Sequence, residues 1–241
     1  DTDNSVIRRI SLSDGSTELV AGIANSAGFA DGTGSTAQFN YPWDLCYHDG
    51  FLYVSDTSNH RIRKIDPDTG VVTTLAGDGT NVHSDGTGTA AQFSAPRGIT
   101  CDGTDLWVAT NQTVRRITLP GAVVTTPFGA AGASGFNDSI GTAARFNNPY
   151  SLIHHDGFLY VAEAGNQLIR KLNLSDDQVS TLAGTTGTPG VTDGTYTAAK
   201  FHWPYILGVI GDYLYTADEG ASTLRRTHLS TRAVTTLAGS A

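Results

Sequence analysis

The sequence predicts an all-β fold: a β-propeller of four-stranded blades, with four complete blades and a two-stranded N-terminal half-blade. Three observations carry this reading. One pattern recurs along the 241 residues, ending at Gly22 (STELVAG), Gly77 (VTTLAG), Gly129 (VTTPFG), Gly184 (VSTLAG) and Gly239 (VTTLAG), in steps of 55, 52, 55 and 55. Inside each copy, short apolar and β-branched runs are split by turn residues, and no window sustains a helical period. Each unit is also too small to bury both of its faces without neighbours.

The elements follow in order. The half-blade spans residues 1–22, starting near Ser5, and consists of VIRRI and STELVAG. The full blades span 39–77, 93–129, 146–184 and 201–239, joined by connectors within one domain, 1–241. The first strand of each opens after a Phe-x-x-Pro motif: Phe39/Pro42, Phe93/Pro96, Phe146/Pro149 and Phe201/Pro204. The second is FLYV at Phe51, DLWV at Asp105, FLYV at Phe158 and YLYT at Tyr213. The third carries a basic pair, as in RIRKI (Arg61–Ile65). Asp66–Gly70 (DPDTG) then has the composition of a hairpin turn, because Pro presets its φ and Gly accepts a positive one. Each connector holds an Asp (Asp31, Asp85, Asp138, Asp193) before a small-residue run such as TGTAAQF, which predicts a single helical turn capped by that Asp.

Two stretches, PWDLCYHDGFLYVSDTSNHRIRKID and PYSLIHHDGFLYVAEAGNQLIRKLN, resemble the NHL-repeat family of β-propellers. The match is looser in PRGITCDGTDLWVATNQTVRRI and loosest in PYILGVIGDYLYTADEGASTLRRT. The resemblance implies the fold and no one function, since such scaffolds host binding sites and enzymes alike.

The strand columns do not close a ring. The outer-strand pair occurs five times and the inner pair four times, which predicts a fragment of a longer propeller or a half-blade completed by self-association or a partner chain. The chain opens with Asp and contains no Met, which predicts a processed or excerpted product. No apolar run approaches the roughly 20 residues of a membrane span. Three Asn-x-Ser/Thr sequons, at Asn111, Asn137 and Asn173, favour an extracellular or cell-surface setting. Cys46 and Cys101 lie on the first strands of neighbouring blades, one alignment column apart. They should therefore point to opposite faces of their strands, either as two buried thiols or as a bridge between blades.

Formal net charge is −8, yet ten of the fifteen basic residues fall in one repeat column, including Arg63/Lys64, Arg115/Arg116, Arg170/Lys171 and Arg225/Arg226. Neighbouring strand residues face opposite ways, so one member of each pair should lie between blades, held by the acidic column Asp56, Glu163 and Asp218. Thr110 replaces that acid in the second blade, where the pairing should be weakest. The remaining acidic surface argues against nucleic acid, which requires the opposite sign.

No compact set of ligands suggests a metal or another cofactor. No His column or nucleophile–base pair suggests catalysis, although catalytic groups can converge from distant sequence. Binding is better supported. The residues after the motif proline are Trp43, Arg97, Tyr150 and Tyr205, and those before it include Tyr41 and Trp203. Aromatic residues and an Arg at one end of the blades suit a glycan or a protein ligand. The expected function is an extracellular binding module. The alternatives are a lyase or hydrolase acting at the channel mouth, and a structural unit joined through open propeller edges.

Overall fold

The computed structural model describes residues 1–240. Strands dominate, joined by turns and single 3-10 turns, with no α-helix among the described residues. Val6–Ile10 pairs antiparallel with Thr17–Gly22 as a separate two-stranded sheet, the predicted half-blade. The first blade is a meander of Pro42–His48, Phe51–Asp56, Arg61–Ile65 and Val71–Ala76. The second runs through Ile99–Cys101, Asp105–Ala109, Thr113–Thr118 and Val123–Gly129. The third is Pro149–His155, Phe158–Glu163, Leu168–Asn173 and Val179–Gly184. The fourth is Pro204–Ile210, Tyr213–Asp218, Thr223–His228 and Ala233–Ala238.

Local chemistry explains the hairpins. Asp49 and Gly50 form a two-residue loop with φ of 46° and 83°, the positive pair that a twisted hairpin needs. Asp66 Oδ1 accepts the backbone N–H groups of Asp68 and Thr69 (2.9 and 3.0 Å), shaping the predicted DPDTG turn.

The connectors differ from expectation. Their small-residue runs do form 3-10 turns, as at Gly34–Thr36, but the preceding residue is Thr33 and Asp31 caps nothing there. Gly32–Thr33 instead adds a short fifth strand against Val71–Ala76, and two other connectors repeat this. The Asp is withdrawn from the turn because the buried arginine column takes it.

The chain forms two compact units, residues 1–108 with 116–125, and 109–115 with 126–241. In the first, one core cluster joins Ile7 and Ala21 of the half-blade to Phe39, Val54 and Ile65 of the first blade. A second joins Tyr53, Ile62 and Ala76 to Phe93, Leu106 and Ile117. In the second unit, Tyr160, Ile169 and Leu182 pack on Phe201, Ile206 and Leu214. The motif phenylalanines Phe39, Phe93, Phe146 and Phe201 are all fully buried.

Arg63, Arg115, Arg170 and Arg225 are equally buried. Arg63 Nη1 donates to Asp56 (2.8 Å) and the Gln38 carbonyl (3.0 Å), while Nη2 donates to Asp31 and the Ala30 carbonyl (both 2.7 Å). Arg170 repeats the set with Glu163 and Asp138, and Arg225 with Asp218 and Asp193. The guanidinium groups of Arg63, Arg170 and Arg225 also lie over their motif phenylalanines, at 5.0 Å for Phe39 and 5.2 Å for Phe146 and Phe201. The expected acidic partners are therefore present, and the connector Asp is a second one. That Asp also accepts from a strand 43 residues on, as in Thr74 N–H to Asp31 (3.1 Å). In the second blade, the hydroxyl of Thr110 turns to that of Thr113 (2.7 Å). The other basic member faces outward: Lys64 over Phe51 (3.5 Å), Lys171 over Phe158 (3.6 Å), and Arg116 paired with Asp105.

Removing a buried guanidinium strands two carboxylates. Arg63→Ala is expected to lower unfolding free energy by about 3–5 kcal/mol, whereas Lys64→Ala costs about 1 kcal/mol or less. Urea denaturation of the two variants checks the contrast; equal losses would refute the inward–outward division.

Candidate functional site

The Phe-x-x-Pro motif builds the site by splitting its residues between core and surface. Its Phe enters the core. The residue before its Pro takes a left-handed backbone in every blade: φ is 58° at Tyr41, 46° at Ala95, 54° at Asn148 and 62° at Trp203. Bulky residues rarely adopt this conformation, and it persists only where surrounding bonds hold it. Here the carbonyls of Tyr41, Asn148 and Trp203 accept the N–H groups of Thr57, Ala164 and Glu219 (3.1–3.3 Å). Tyr41 remains 40% exposed and Trp203 53% exposed.

In the first unit, Tyr41 stacks on Trp43 with ring centres 5.5 Å apart and planes 28° apart. Trp43, which is half-buried, lines a cleft of about 120 Å³ with Asp1, Thr2, Asp44 and Leu45. Arg97 is half-buried too. Its backbone is fastened from the first blade: Ser55 Oγ donates to the Arg97 carbonyl, and Thr57 Oγ1 to the Pro96 carbonyl (2.6 Å).

In the second unit, Tyr150 and Tyr205 meet edge to face with ring centres 6.4 Å apart, both half-buried. Trp203 is accompanied by the His202 ring at 5.4 Å. Of the six expected ligand-binding residues, Tyr41 thus pairs with Trp43 and Tyr150 with Tyr205, Trp203 has His202 beside it, and none of the six is fully buried.

Asp44 went unnoticed in the sequence because it has no repeat column of acids. It follows Trp43, and its carboxylate accepts the N–H of Leu45 (2.8 Å) and of Ile99 on the next blade (3.0 Å). Burial pushes its pKa up to about 6, against the downward pull of those two bonds. Ser151 does the same work for Ile206 (2.8 Å) without a charge. Asp44 therefore combines a structural bond with a titratable carboxyl at the wall of the Trp43 cleft.

Among the described residues no three His, Cys, Asp or Glu side chains gather as metal ligands. His154 and His155 are consecutive on one strand and so face opposite ways. No helix among the described residues is long and apolar enough to cross a membrane.

Comparison with known proteins gives concordant results. The NHL-repeat family matches residues 39–65. NHL repeat-containing protein 2 of Gallus gallus is 30% identical over 273 residues, covering 95% of this chain and 36% of that protein. Protein SUPPRESSOR OF QUENCHING 1, chloroplastic, of Arabidopsis thaliana is 38% identical over 107 residues, 41% of this chain and 10% of that one. The chain thus spans well under half the length of these relatives. Among solved structures, virginiamycin B lyase from Staphylococcus aureus superposes with a TM-score of 0.59 at 18% identity, over 98% of this chain and 64% of that one.

The raised pKa of Asp44 has a signed consequence. Between its unfolded value near 4 and its folded value near 6, the folded state binds more protons, so this carboxyl's contribution to stability falls as pH rises. Asp44→Asn removes that dependence and adds a constant offset for its lost acceptor. The wild type is expected to lose up to about 3 kcal/mol relative to the variant between pH 4 and 6, read from denaturation midpoints; parallel profiles would show that Asp44 titrates normally.

Proposed function

Because the chain belongs to the NHL-repeat family of β-propellers, we propose that it is a binding module whose ligand contacts the residues flanking the motif prolines. The observation that carries the reading is the conformation of Tyr41 and Trp203. Two large aromatics are held exposed on a left-handed backbone that the fold must stabilise. Such rings offer a flat apolar face with a polar edge, suited to a sugar ring or to an anchor side chain of a protein. Arg97 adds a directed donor on a backbone that the first blade holds in place.

The ligand class is a glycan or a protein, and the setting is extracellular, the latter on the sequons at Asn111, Asn137 and Asn173. Asn137 is exposed and its side chain donates only to the Ala143 carbonyl (3.0 Å), an arrangement that leaves space for a glycan. The acidic surface repels phosphate backbones, so nucleic acid is not part of the proposal. An open edge of the half-blade, at Val6–Ile10, offers strand pairing to a second copy or another chain.

A glycan array and a pull-down identify the ligand. Trp203→Ala and Trp43→Ala should then weaken its binding at least about thirtyfold, equivalent to about 2 kcal/mol, while Trp203→Ala keeps the wild-type melting temperature. A lowered melting temperature with unchanged affinity would assign these rings to packing. Turnover of a ligand lost in the same variants would favour the lyase or hydrolase alternative.

A further inference from the structure

Cys46 and Cys101 are the only cysteines of the chain, and both are free thiols. They sit in Pro42–His48 and Ile99–Cys101, neighbouring first strands of the first unit. Cys46 is opposite Tyr53 and Cys101 opposite Leu106 in their own sheets. Since Tyr53 and Leu106 occupy adjacent repeat columns, the two cysteines are on opposite faces of their blades. Blades stack face to face, so opposite faces are the ones that meet. The two side chains accordingly face the same seam, and Cys101 Sγ lies 3.3 Å from the carbonyl of Tyr47, the residue next to Cys46. Both pack against the edge of the same apolar cluster, and each is only partly buried.

We propose that Cys46 and Cys101 are a reversible dithiol that closes into a disulfide between the first two blades by exchange with a small-molecule disulfide. The two sulfurs are inequivalent. The neighbouring Cys46 thiol holds the Cys101 thiol down, and its approach to His48 acts in the same direction. The proximity of Cys101, with burial, holds the Cys46 thiol up. As a neutral thiol, Cys101 donates to the Tyr47 carbonyl (3.3 Å). Cys101 is therefore the attacking thiolate. It bonds to one sulfur of the disulfide RSSR, whose S–S bond breaks, and RS⁻ leaves and takes a proton. Cys46 then gives up its proton and attacks Cys101 Sγ, expelling the second RS⁻, which is protonated in turn. Two protein thiols and RSSR become the Cys46–Cys101 disulfide and two RSH; the protein loses two electrons and two protons. The bridge would join residues 55 apart in sequence and restrict the unfolded chain accordingly.

The test exposes the reduced full chain to oxidised glutathione and then traps thiols with iodoacetamide for intact-mass analysis. The expected wild-type product has lost two hydrogens, takes up no acetamide, and melts about 5–15 °C higher than the reduced protein. Cys46→Ser should accumulate glutathione on Cys101, because no second thiol resolves it, while Cys101→Ser should react far more slowly. Two alkylatable thiols in wild type at exchange equilibrium, or glutathione retained on both cysteines, would overturn the proposal. The wild-type measurement decides it alone should either Ser variant fail to fold.

Discussion

The buried guanidinium is the interaction on which the blades depend. Arg63, Arg170 and Arg225 each use both terminal nitrogens on two carboxylates and two backbone carbonyls, so one side chain fastens three stretches of chain. An ammonium could supply the charge but not this planar fork. The ring of the motif phenylalanine covers the guanidinium face and keeps water from competing. Burial still dominates the inner acids: it raises the pKa of Asp56, Glu163 and Asp218 despite the neighbouring cation. The cluster is thus a device of position more than of net attraction, fixing where each connector lies against its blade.

The rest of the repeat follows from that fixed point. With the arginine on the inward face, the next residue must face outward, where Lys64 and Lys171 cover aromatic rings with their stems. With the connector Asp tied to the arginine, the connector presents Gly32–Thr33 to the blade edge and its Phe to the core. Three residues beyond that Phe comes the proline, and the residue just before it takes a left-handed turn. The aromatic sites are therefore placed by the same network that closes the blade. This separates residues that hold the fold, which recur as Phe, Pro and Arg, from those that vary at the surface as Trp, Arg and Tyr.

Asp44 and the two cysteines show what the repeat leaves free. At Asp44, a position filled by Ser151 in another blade bears a carboxylate, and the same backbone bond acquires a pH dependence. At the cysteines, two unremarkable small residues become neighbours because blades stack. In both, chemistry arises where one copy departs from the others at a seam.

Much was legible in the sequence itself. The recurring endings, the DPDTG turn, the half-blade and the inward member of each basic pair all follow from local periodicity, because strand alternation and turn preference act over a few residues. The column of Asp56, Glu163 and Asp218 was legible as the arginine partner because the spacing recurs. The second partner was not: Asp31 reads as a cap for the turn beside it, and only packing shows it 2.7 Å from Arg63, 32 residues away. The left-handed backbone of Tyr41 and Trp203, the stacking of Tyr41 on Trp43, the raised pKa of Asp44 and the meeting of Cys46 with Cys101 were likewise decided in three dimensions. Each depends on which groups a neighbouring blade presents and on how much water it excludes, and neither quantity is carried by residues close in sequence.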